Sequence, residues 1–456
     1  MNRAFIFKII GMLLLITLMS IAVSYVNGII LERQQRQQEV KADIARGSAG
    51  EQTIIGPILV VPYIEEYTET ITENGVKKTE AKRDFRKTVI LPDQLNLDGG
   101  FTNEFKKLGI YKALIYQLSG NIKGSFLLPA DIKLTAYHNN SQITVQAAYL
   151  SIGITDPRGI GSSPAIIWGN QTLSFKQGSQ LKVLGNGIHA PIGLLQHTTE
   201  TRVAFDINLN LRGTEQFNFA PLAGNNKVAL QSSWQHPHFD GSFLPEASSQ
   251  KINAGGFSAN WAVSSLSSNN QAIFYSLLTG EQNQNLELLN VGFVEPINVY
   301  SQSDRATKYG LLFIGLTFAG FFIFEILKNL RIHPAQYTLV GLSMAMFYLL
   351  LVSLAEQIGF ASAYLSASAA CVVLLGYYLS YVLKSKANGL LFASLLTALY
   401  GALYGILQSE DNALLMGSLM VFGLLALVMV ITRKVDWYKI SNKPDAPTVH
   451  SSYDVV

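Results

Sequence analysis

The stretch AQYTLVGLSMAMFYLLLVSLA, residues 335–355, carries no charged side chain over 21 consecutive positions. A helix of this length rises about 30 Å, which is the thickness of the hydrocarbon core of a bilayer. Four further apolar runs lie in the same C-terminal third: Leu311 to Leu327, Ile358 to Leu383, Leu390 to Leu407 and Ala413 to Thr432. Residues 309–435 are therefore predicted to form a bundle of five transmembrane helices.

A sixth apolar segment, Phe5 to Ile30, contains Lys8 as its one charged residue. It predicts an N-terminal transmembrane signal anchor over residues 1–31, which brings the expected total to six spans. A cleaved secretory signal peptide is the alternative, because Arg3 and Lys8 form a basic start and Ala22 to Ser24 offers small residues for cleavage. The length of the apolar run and the bulky Tyr25 favour the anchor.

The composition points the same way. Of the 456 residues only 14% are charged, and the mean hydropathy is +0.24, whereas an ordinary soluble domain has roughly 25% charged residues. Between residues 32 and 308 the basic and acidic residues are equal in number, so we expect no nucleic-acid partner. The single cysteine, Cys371, excludes a disulfide within the chain and a cysteine-based zinc site.

The distribution of charge in the short loops predicts the topology. If the N-terminus is cytoplasmic, every basic residue outside residues 32–308 falls on the cytoplasmic side, as the positive-inside rule requires. These residues are Arg3, Lys8, Lys328, Arg331, Lys384, Lys386, Arg433, Lys434, Lys439 and Lys443. Both termini, including a tail over residues 436–456, are then cytoplasmic, and residues 32–308 form a large domain on the outer side.

That outer domain reads as β-rich. Apolar residues alternate at Val203, Phe205, Ile207, Leu209 and Leu211, which predicts a strand with one buried face. The main helix is predicted at Thr102 to Leu118, with Thr102 as its N-cap and Gly109 weakening its middle.

An internal echo suggests how the domain is built. Gly124 to Pro129 reads GSFLLP, and Gly241 to Pro245 reads GSFLP. The echo predicts two related halves that form a tandem pair of β-sandwiches, with chance similarity as the alternative.

Few residues suggest chemistry. His236, His238 and Asp240 would share one face of a strand and are the best metal candidate. Pro237 and Gly241 favour a turn that enters a strand instead, so we expect neither a metal nor a cofactor. The chain contains no recognisable enzyme motif.

Within the predicted spans, Glu325 is the one ionisable group of functional interest. It lies near the inner end of its span, where it can pair with Lys328 or extend towards the interface, so structural anchoring is the favoured interpretation. Small residues at Gly401 and Gly405, and again at Ser362, Ser366 and Ala370, allow close helix packing or a homo-oligomer. Asp156 and Arg158 are the preferred surface candidates for a protein contact, although a turn that pairs its own charges is the simpler interpretation.

Several short strings carry a resemblance to a known family. They are Gly109 to Tyr111, Ile154 to Ile160, Gly256 with Phe257 and Trp261, Ile332 to Pro334, Glu410 with Asp411, and Asp436 to Tyr438. With them the chain resembles the CreD family of bacterial inner-membrane, cell-envelope-integrity proteins over nearly its whole length. The resemblance implies a multi-pass inner-membrane protein with a periplasmic domain, linked to a two-component sensor system, colicin tolerance and the response to β-lactams. It implies no enzymatic activity.

Three functional hypotheses follow. The first is a non-enzymatic inner-membrane protein whose periplasmic domain binds an envelope partner, in contact with the phospholipid bilayer. The second is a component that transports or handles lipids or small molecules and works with an energised partner, because the chain has no nucleotide-binding motif. The third and weakest is a periplasmic hydrolase that uses His236, His238, Asp240 or Ser248.

Overall fold

The computed structural model of the chain describes residues 3–73, 76–132, 134–195, 199–280, 284–295, 298–328, 332–409 and 413–433. The chain divides into two compact units. The membrane unit comprises residues 1–36 and 297–456, and the β unit comprises residues 37–296. The sequence predicted domain limits at 31/32 and 308/309, and the predicted cytoplasmic tail, 436–456, lies outside the described residues.

The membrane unit is helical. Its helices, together with the short α2 of the β unit, are α1 (Arg3–Gly47), α2 (Asn270–Thr279), α3 (Val299–Lys308), α4 (Gly310–Lys328), α5 (Pro334–Ile358), α6 (Phe360–Val382), α7 (Lys386–Gln408) and α8 (Ala413–Thr432). Helix α1 contributes residues to both units, since its last turns lie beyond Arg36.

The prediction of six transmembrane helices is not supported as a number. Among the described residues, four helices are long and apolar enough to cross a membrane: α1, α5, α6 and α7. Helices α3 and α4 meet at a bend of 43° and add a fifth span when they are counted as one. The predicted span Ala413 to Thr432 coincides with α8, some of whose side chains lie outside the described residues.

The described residues of the β unit form 17 strands in two mixed sheets. In chain order they are β1 (Gln52–Glu73), β2 (Val76–Ile90), β3 (Gln94–Leu108), β4 (Tyr111–Leu128), β5 (Gln142–Val145), β6 (Ala148–Ile154), β7 (Ala165–Trp168), β8 (Gln171–Ser174), β9 (Lys176–Gln177), β10 (Gly187–Gly193), β11 (Thr201–Thr214), β12 (Gln216–Ala220), β13 (Asn225–Ser232), β14 (Pro237–Gly241), β15 (Lys251–Asn253), β16 (Gly256–Ser264) and β17 (Leu289–Phe293).

The first sheet has the order β14-β17-β12-β1-β6-β10-β9, with β2 and β5 also paired to β1. The second has the order β15-β16-β13-β3-β4-β11-β7-β8. One continuous core joins them, because buried residues such as Leu59 and Phe217 from the first sheet pack with Leu97 and Phe126 from the second. The β unit is therefore one sandwich of interleaved strands.

This topology makes the prediction of tandem, duplicated sandwiches wrong. The segment Gly124 to Pro129 ends β4 in the second sheet, whereas Gly241 ends β14 in the first. The two strings occupy unrelated positions, so their similarity reflects a shared strand-end composition and does not mark a repeated subdomain.

The predicted helix at Thr102 to Leu118 is also wrong, since β3 and β4 form a hairpin there. Residues Leu108 and Tyr111 pair directly across a two-residue loop, Gly109 and Ile110. Gly109 has a φ of +63°, which a tight hairpin turn requires at its first central position and which glycine adopts without strain. The glycine that weakens a helix is the residue that closes the turn. By contrast, the predicted strand around Phe205 and Ile207 is confirmed as part of β11.

Candidate functional site

The best-defined polar site of the membrane unit surrounds Glu325, a carboxylate only 6% exposed near the end of α4. Its Oε1 accepts a hydrogen bond from the backbone N–H of Ile332 at 3.1 Å, and its Oε2 accepts one from the hydroxyl of Tyr337 at 3.0 Å. The Lys8 ammonium of α1 forms an ion pair with the same carboxylate. A charge buried in this way needs a counter-charge and hydrogen bonds, and Glu325 has both.

Local structure positions these partners. His333 caps the N-terminus of α5 in a capping box with Gln336, and Pro334 occupies the first turn, where its missing N–H leaves no bond unmade. Tyr337 follows one turn later, and its ring packs against Phe318 and Phe321 of α4, with centroid distances of 5.6 and 4.8 Å. The tight α4–α5 connection thus directs the tyrosine hydroxyl at the carboxylate.

The structure gives Glu325 a partner that sequence reasoning missed. Lys328, the expected partner, is exposed, and Lys8 of the N-terminal helix α1 forms the ion pair with Glu325 instead. A sequence separation of 317 positions hides this pair from any local pattern. The sequence feature that could have indicated this pair is the lone charge of Lys8 within an otherwise apolar run.

A second polar cluster ties the same helices together elsewhere. The Glu356 carboxylate near the end of α5 accepts a hydrogen bond from the Tyr300 hydroxyl at 3.1 Å, and it lies 3.6 Å from Nε of Arg33 on α1. Between the two clusters α1 buries Met19, Val23, Val26 and Ile30. Helix α1 is thus packed and ion-paired as an integral part of the membrane unit.

Asp156 and Arg158 lie on a short 3₁₀ turn in the β unit, Pro157–Gly159. The carboxylate of Asp156 accepts hydrogen bonds from both the backbone N–H and the Nε of Arg158, at 3.1 and 2.8 Å. Burial alone would raise the pKa of Asp156, but the hydrogen bond from Arg158 outweighs burial and lowers it.

The same turn fastens the junction between α1 and β1. Asp156 accepts a hydrogen bond from Gly50 N–H at 3.3 Å, and Arg158 donates to the carbonyl of Arg46. The amide of Gln52 adds a bond to the Asp156 carbonyl at 3.0 Å. The turn pairs its own charges and also holds the chain where α1 leads into the sandwich.

Three potential metal ligands converge elsewhere in the described residues: Glu65, Asp84 and His138. Glu65 is fully buried, and its carboxylate accepts hydrogen bonds from Arg86 Nε at 2.9 Å and from the backbone N–H groups of Tyr137 and His138 at 2.8 Å each. Burial would raise the pKa of Glu65, but the hydrogen bonds from the backbone N–H groups of His138 and Tyr137 help to lower it to about 2. Because the Arg86 guanidinium bonds both Glu65 and Asp84, at 2.9 and 2.8 Å, the cluster is built as an ion-pair network.

The metal candidate from the sequence has a looser geometry. His238 and Asp240 do share a face of β14, and their Nε2 and Oδ2 atoms are 3.5 Å apart. His236 precedes the strand, and within the described part of the chain it joins no group of three ligands. His189 hydrogen-bonds the Gly178 carbonyl at 2.6 Å, and His197 lies outside the described residues.

The long hairpin of β1 and β2 offers an exposed surface. The described residues of its distal part, 67–73 and 76–82, pair only within the hairpin, and β2 has no strand on its outer edge among the described strands. Phe85 on β2 is 80% exposed, opposite Ile64 and between Arg83 and Lys87. An exposed aromatic side chain beside a free strand edge is typical of a protein-binding surface.

An apolar groove runs between α6 and α7. It consists of two adjoining cavities of about 660 and 600 Å³ that share Val372, Val373 and Thr397. Tyr364 and Tyr404 line one end, and Ser380 and Lys386 line the other.

The glycines of α6 and α7 differ in their surroundings. A side chain at Gly401 or Gly405 would meet no other described atom within 4 Å, so these glycines face open space, and the expected close packing there is wrong. The close approach of α6 to α7 occurs instead at Gly376 and Gly389, where an added Cβ would lie 2.9 Å from Ala393 and 2.7 Å from Ser380.

Comparison with known proteins agrees with this architecture. The family described as inner membrane protein CreD matches residues 4–438. The inner membrane protein CreD of Escherichia coli strain K12 is 34% identical over 426 residues, which cover 93% of this chain and 92% of that protein.

Proposed function

Because the chain belongs to the CreD family of inner-membrane proteins, we propose that it is a non-enzymatic protein that maintains cell-envelope integrity. Its β unit binds an envelope partner, and its membrane unit anchors that contact in the phospholipid bilayer. The role includes tolerance of envelope stress, of β-lactams and of colicins. The exposed Phe85 beside the free edge of β2 is the observation that carries the partner-binding part of the proposal.

The polar clusters support a role without catalysis. A general base or nucleophile needs a polar atom that faces a substrate and is not already occupied by partners within the protein. Glu65 and Glu325 instead have their oxygens occupied by cations and hydrogen-bond donors within the protein. Such groups stabilise structure and leave no reactive atom free for a substrate.

The proposed location follows from charge. The basic residues of the short loops favour cytoplasmic termini, and the β unit then lies in the periplasm. There it meets envelope proteins, with Asp156 and Arg158 as a second candidate contact, since the Arg158 side chain is exposed despite its ion pair.

A site-specific photo-crosslinker in living cells tests the partner. At position 85 we expect a discrete adduct with an envelope protein, because the strand edge and the aromatic side chain present one continuous surface. At Leu266, an even more exposed apolar position on the β16–α2 turn, we expect none. Adducts of equal intensity at both positions, or none at 85, contradict the proposal.

Phenotypes test the biological role. A strain that lacks the protein should become more sensitive to detergent, β-lactam or colicin, and the wild-type chain should restore resistance. A Phe85→Ser variant should restore it poorly while reaching the membrane in normal amount, and Leu266→Ser should restore it fully. Unchanged sensitivity of the deletion strain refutes an envelope role.

The groove between α6 and α7 favours a second candidate function, lipid handling with an energised partner. Its volume and apolar lining suit an acyl chain, and Lys386 at one end suits an anionic headgroup. Filling it with Gly401→Leu should displace copurified phospholipid, as measured by mass spectrometry of the purified protein. Loss of an oligomer in the same variant would instead identify the Gly401 face as a contact between copies.

A further inference from the structure

The tip of the β3–β4 hairpin combines exposed apolar and basic side chains. Leu108 and Ile110 flank the turn glycine and are 50% and 46% exposed. Every residue from Glu104 to Ile110 is exposed, and Phe105 is among them. Polar residues are expected at the end of a hairpin. Large exposed apolar side chains there indicate a contact with another protein or with lipid.

Basic side chains are concentrated at the tip. Lys107 and Lys112 pair directly across the two strands, and like charges in this position repel each other. Lys106 lies beside Lys107, and Glu104 is the only acidic residue between positions 104 and 112. Anions near Lys106 and Lys107 would offset the positive charge of the tip.

One of the three lysines also shows where the tip lies in the β unit. The Lys112 ammonium pairs with Glu295 at 2.6 Å and lies over the Phe105 ring, 4.5 Å from its centroid. Phe105 also meets the ring of Trp234, whose Nε1 donates to the Val294 carbonyl. The base of the tip is therefore fixed to the final residues of the β unit.

The chain leaves the β unit at this point. Only three residues separate Glu295 from Val299, where α3 begins and the sequence continues into the membrane helices. The apolar tip thus belongs to the end of the sandwich from which the polypeptide passes to the bilayer.

We propose that this tip docks on the lipid surface, with Leu108 and Ile110 among the acyl chains and Lys106 and Lys107 against anionic phospholipid headgroups. Apolar side chains supply the burial, and the lysines supply attraction to a negatively charged surface. Because the β unit is tethered to the membrane by its own chain, even a weak surface affinity keeps the tip bound. The contact restrains the β unit relative to the bilayer and does not depend on the identity of its protein partner.

Depth-dependent fluorescence quenching tests the proposal on the full chain. The sole cysteine is first replaced by Cys371→Ser, which retains a donor for the Ser343 carbonyl that Cys371 contacts at 3.3 Å. A polarity-sensitive fluorophore is then attached to Leu108→Cys, and the protein is placed in nanodiscs that contain spin-labelled lipid. We expect a blue-shifted emission and strong quenching at position 108.

Leu266→Cys is the matched control. Leu266 is 98% exposed, and the adjoining Ser265 N–H bonds the carbonyl of Gly224, next to the start of β13. That start pairs with Gln94, the first residue of β3, so the control lies a whole strand away from the tip, or roughly 45 Å. We expect an unshifted emission and little quenching there.

Charge variants separate the two parts of the proposal. Lys106→Gln with Lys107→Gln should abolish the difference in quenching between anionic and zwitterionic nanodiscs, and high salt should do the same in the unsubstituted tip. Equal quenching at positions 108 and 266 overturns the proposal. So does a label at 108 that is shielded from aqueous iodide yet unquenched by lipid, because a protein surface would then cover the tip.

Discussion

Removing the ammonium of Lys8 should destabilise the membrane unit more than any other single change of a surface-accessible lysine. In Lys8→Met, Glu325 remains 6% exposed and loses its only described cation, while it keeps the hydrogen bonds from Ile332 and Tyr337. Breaking a buried ion pair from one side costs about 3–5 kcal/mol. Because Lys8 is itself partly exposed and two hydrogen bonds persist, we expect about 3 kcal/mol, the lower end of that range.

The assay is unfolding in mixed micelles of increasing SDS fraction, followed by circular dichroism. Lys328→Met is the matched control, because Lys328 lies three positions from Glu325 and is exposed. We expect this control to change stability by no more than about 0.5 kcal/mol.

A double substitution makes the test sharper. With Lys8→Met and Glu325→Leu together, no charge is left unpaired, so stability should return to within about 1 kcal/mol of the parent protein. The reasoning is refuted if the two single effects simply add, or if Lys328→Met costs as much as Lys8→Met.

Three further outcomes are expected. Intact-mass measurement should show that residues 1–30 are retained, because α1 is buried at Met19, Val23 and Ile30 and ion-paired at Lys8; a mass that corresponds to cleavage after Ser24 would restore the signal-peptide alternative. Gly124→Ala should destabilise the β unit by about 1–3 kcal/mol or more, because the added Cβ would lie 2.0 Å from the Gln94 carbonyl oxygen. Gly120→Ala is the control and should cost less, since its nearest contact would be at 3.5 Å. Similar melting temperatures of the two variants would contradict this. The pKa of Glu65 in the folded state, about 2, lies below its unfolded value, so its contribution to stability is complete above about pH 5 and is lost as the pH falls towards 2. When acid unfolding is followed by tryptophan fluorescence, Glu65→Gln should lose stability less steeply with falling pH than the parent protein. An unchanged profile would refute the role of Glu65.

The membrane helices could be placed from sequence because a charge-free run of twenty residues has few other structural interpretations. Helix α5, Pro334–Ile358, contains the predicted span at 335–355 almost exactly as the apolar pattern implies. The number of transmembrane helices was predicted less well than their positions. Hydropathy cannot show the 43° bend between α3 and α4, because α3 owes its place to polar contacts, such as Thr307 with Asn27, and carries no apolar run.

In the β unit, local pattern identified strands but not their partners. The alternation in β11 was legible because its period of two is a local property. The hairpin at Gly109 was misread since the residues around it, Glu104 to Leu108, favour helices intrinsically, and their strand conformation is imposed by pairing with β4. The interleaving of the two sheets depends on pairs such as β3 with β13, whose residues lie more than a hundred positions apart.

The two ion clusters on α1 also bear on what Glu325 does. Lys8 and Arg33 are separated by 25 helical residues, or about 38 Å, which exceeds a hydrocarbon core of about 30 Å. If α1 crosses the bilayer close to its normal, both clusters fall at the interfaces and neither lies at the midplane. At an interface, water and headgroups reduce the cost of a charge, so a carboxylate there does not by itself indicate a transport path. With this spacing, Lys8 and Arg33 of α1 each meet a glutamate near the end of a neighbouring helix, Glu325 on α4 and Glu356 on α5. We therefore propose that Glu325 and Glu356, through their ion pairs with Lys8 and Arg33, fix the depth and tilt of α1 in the bilayer.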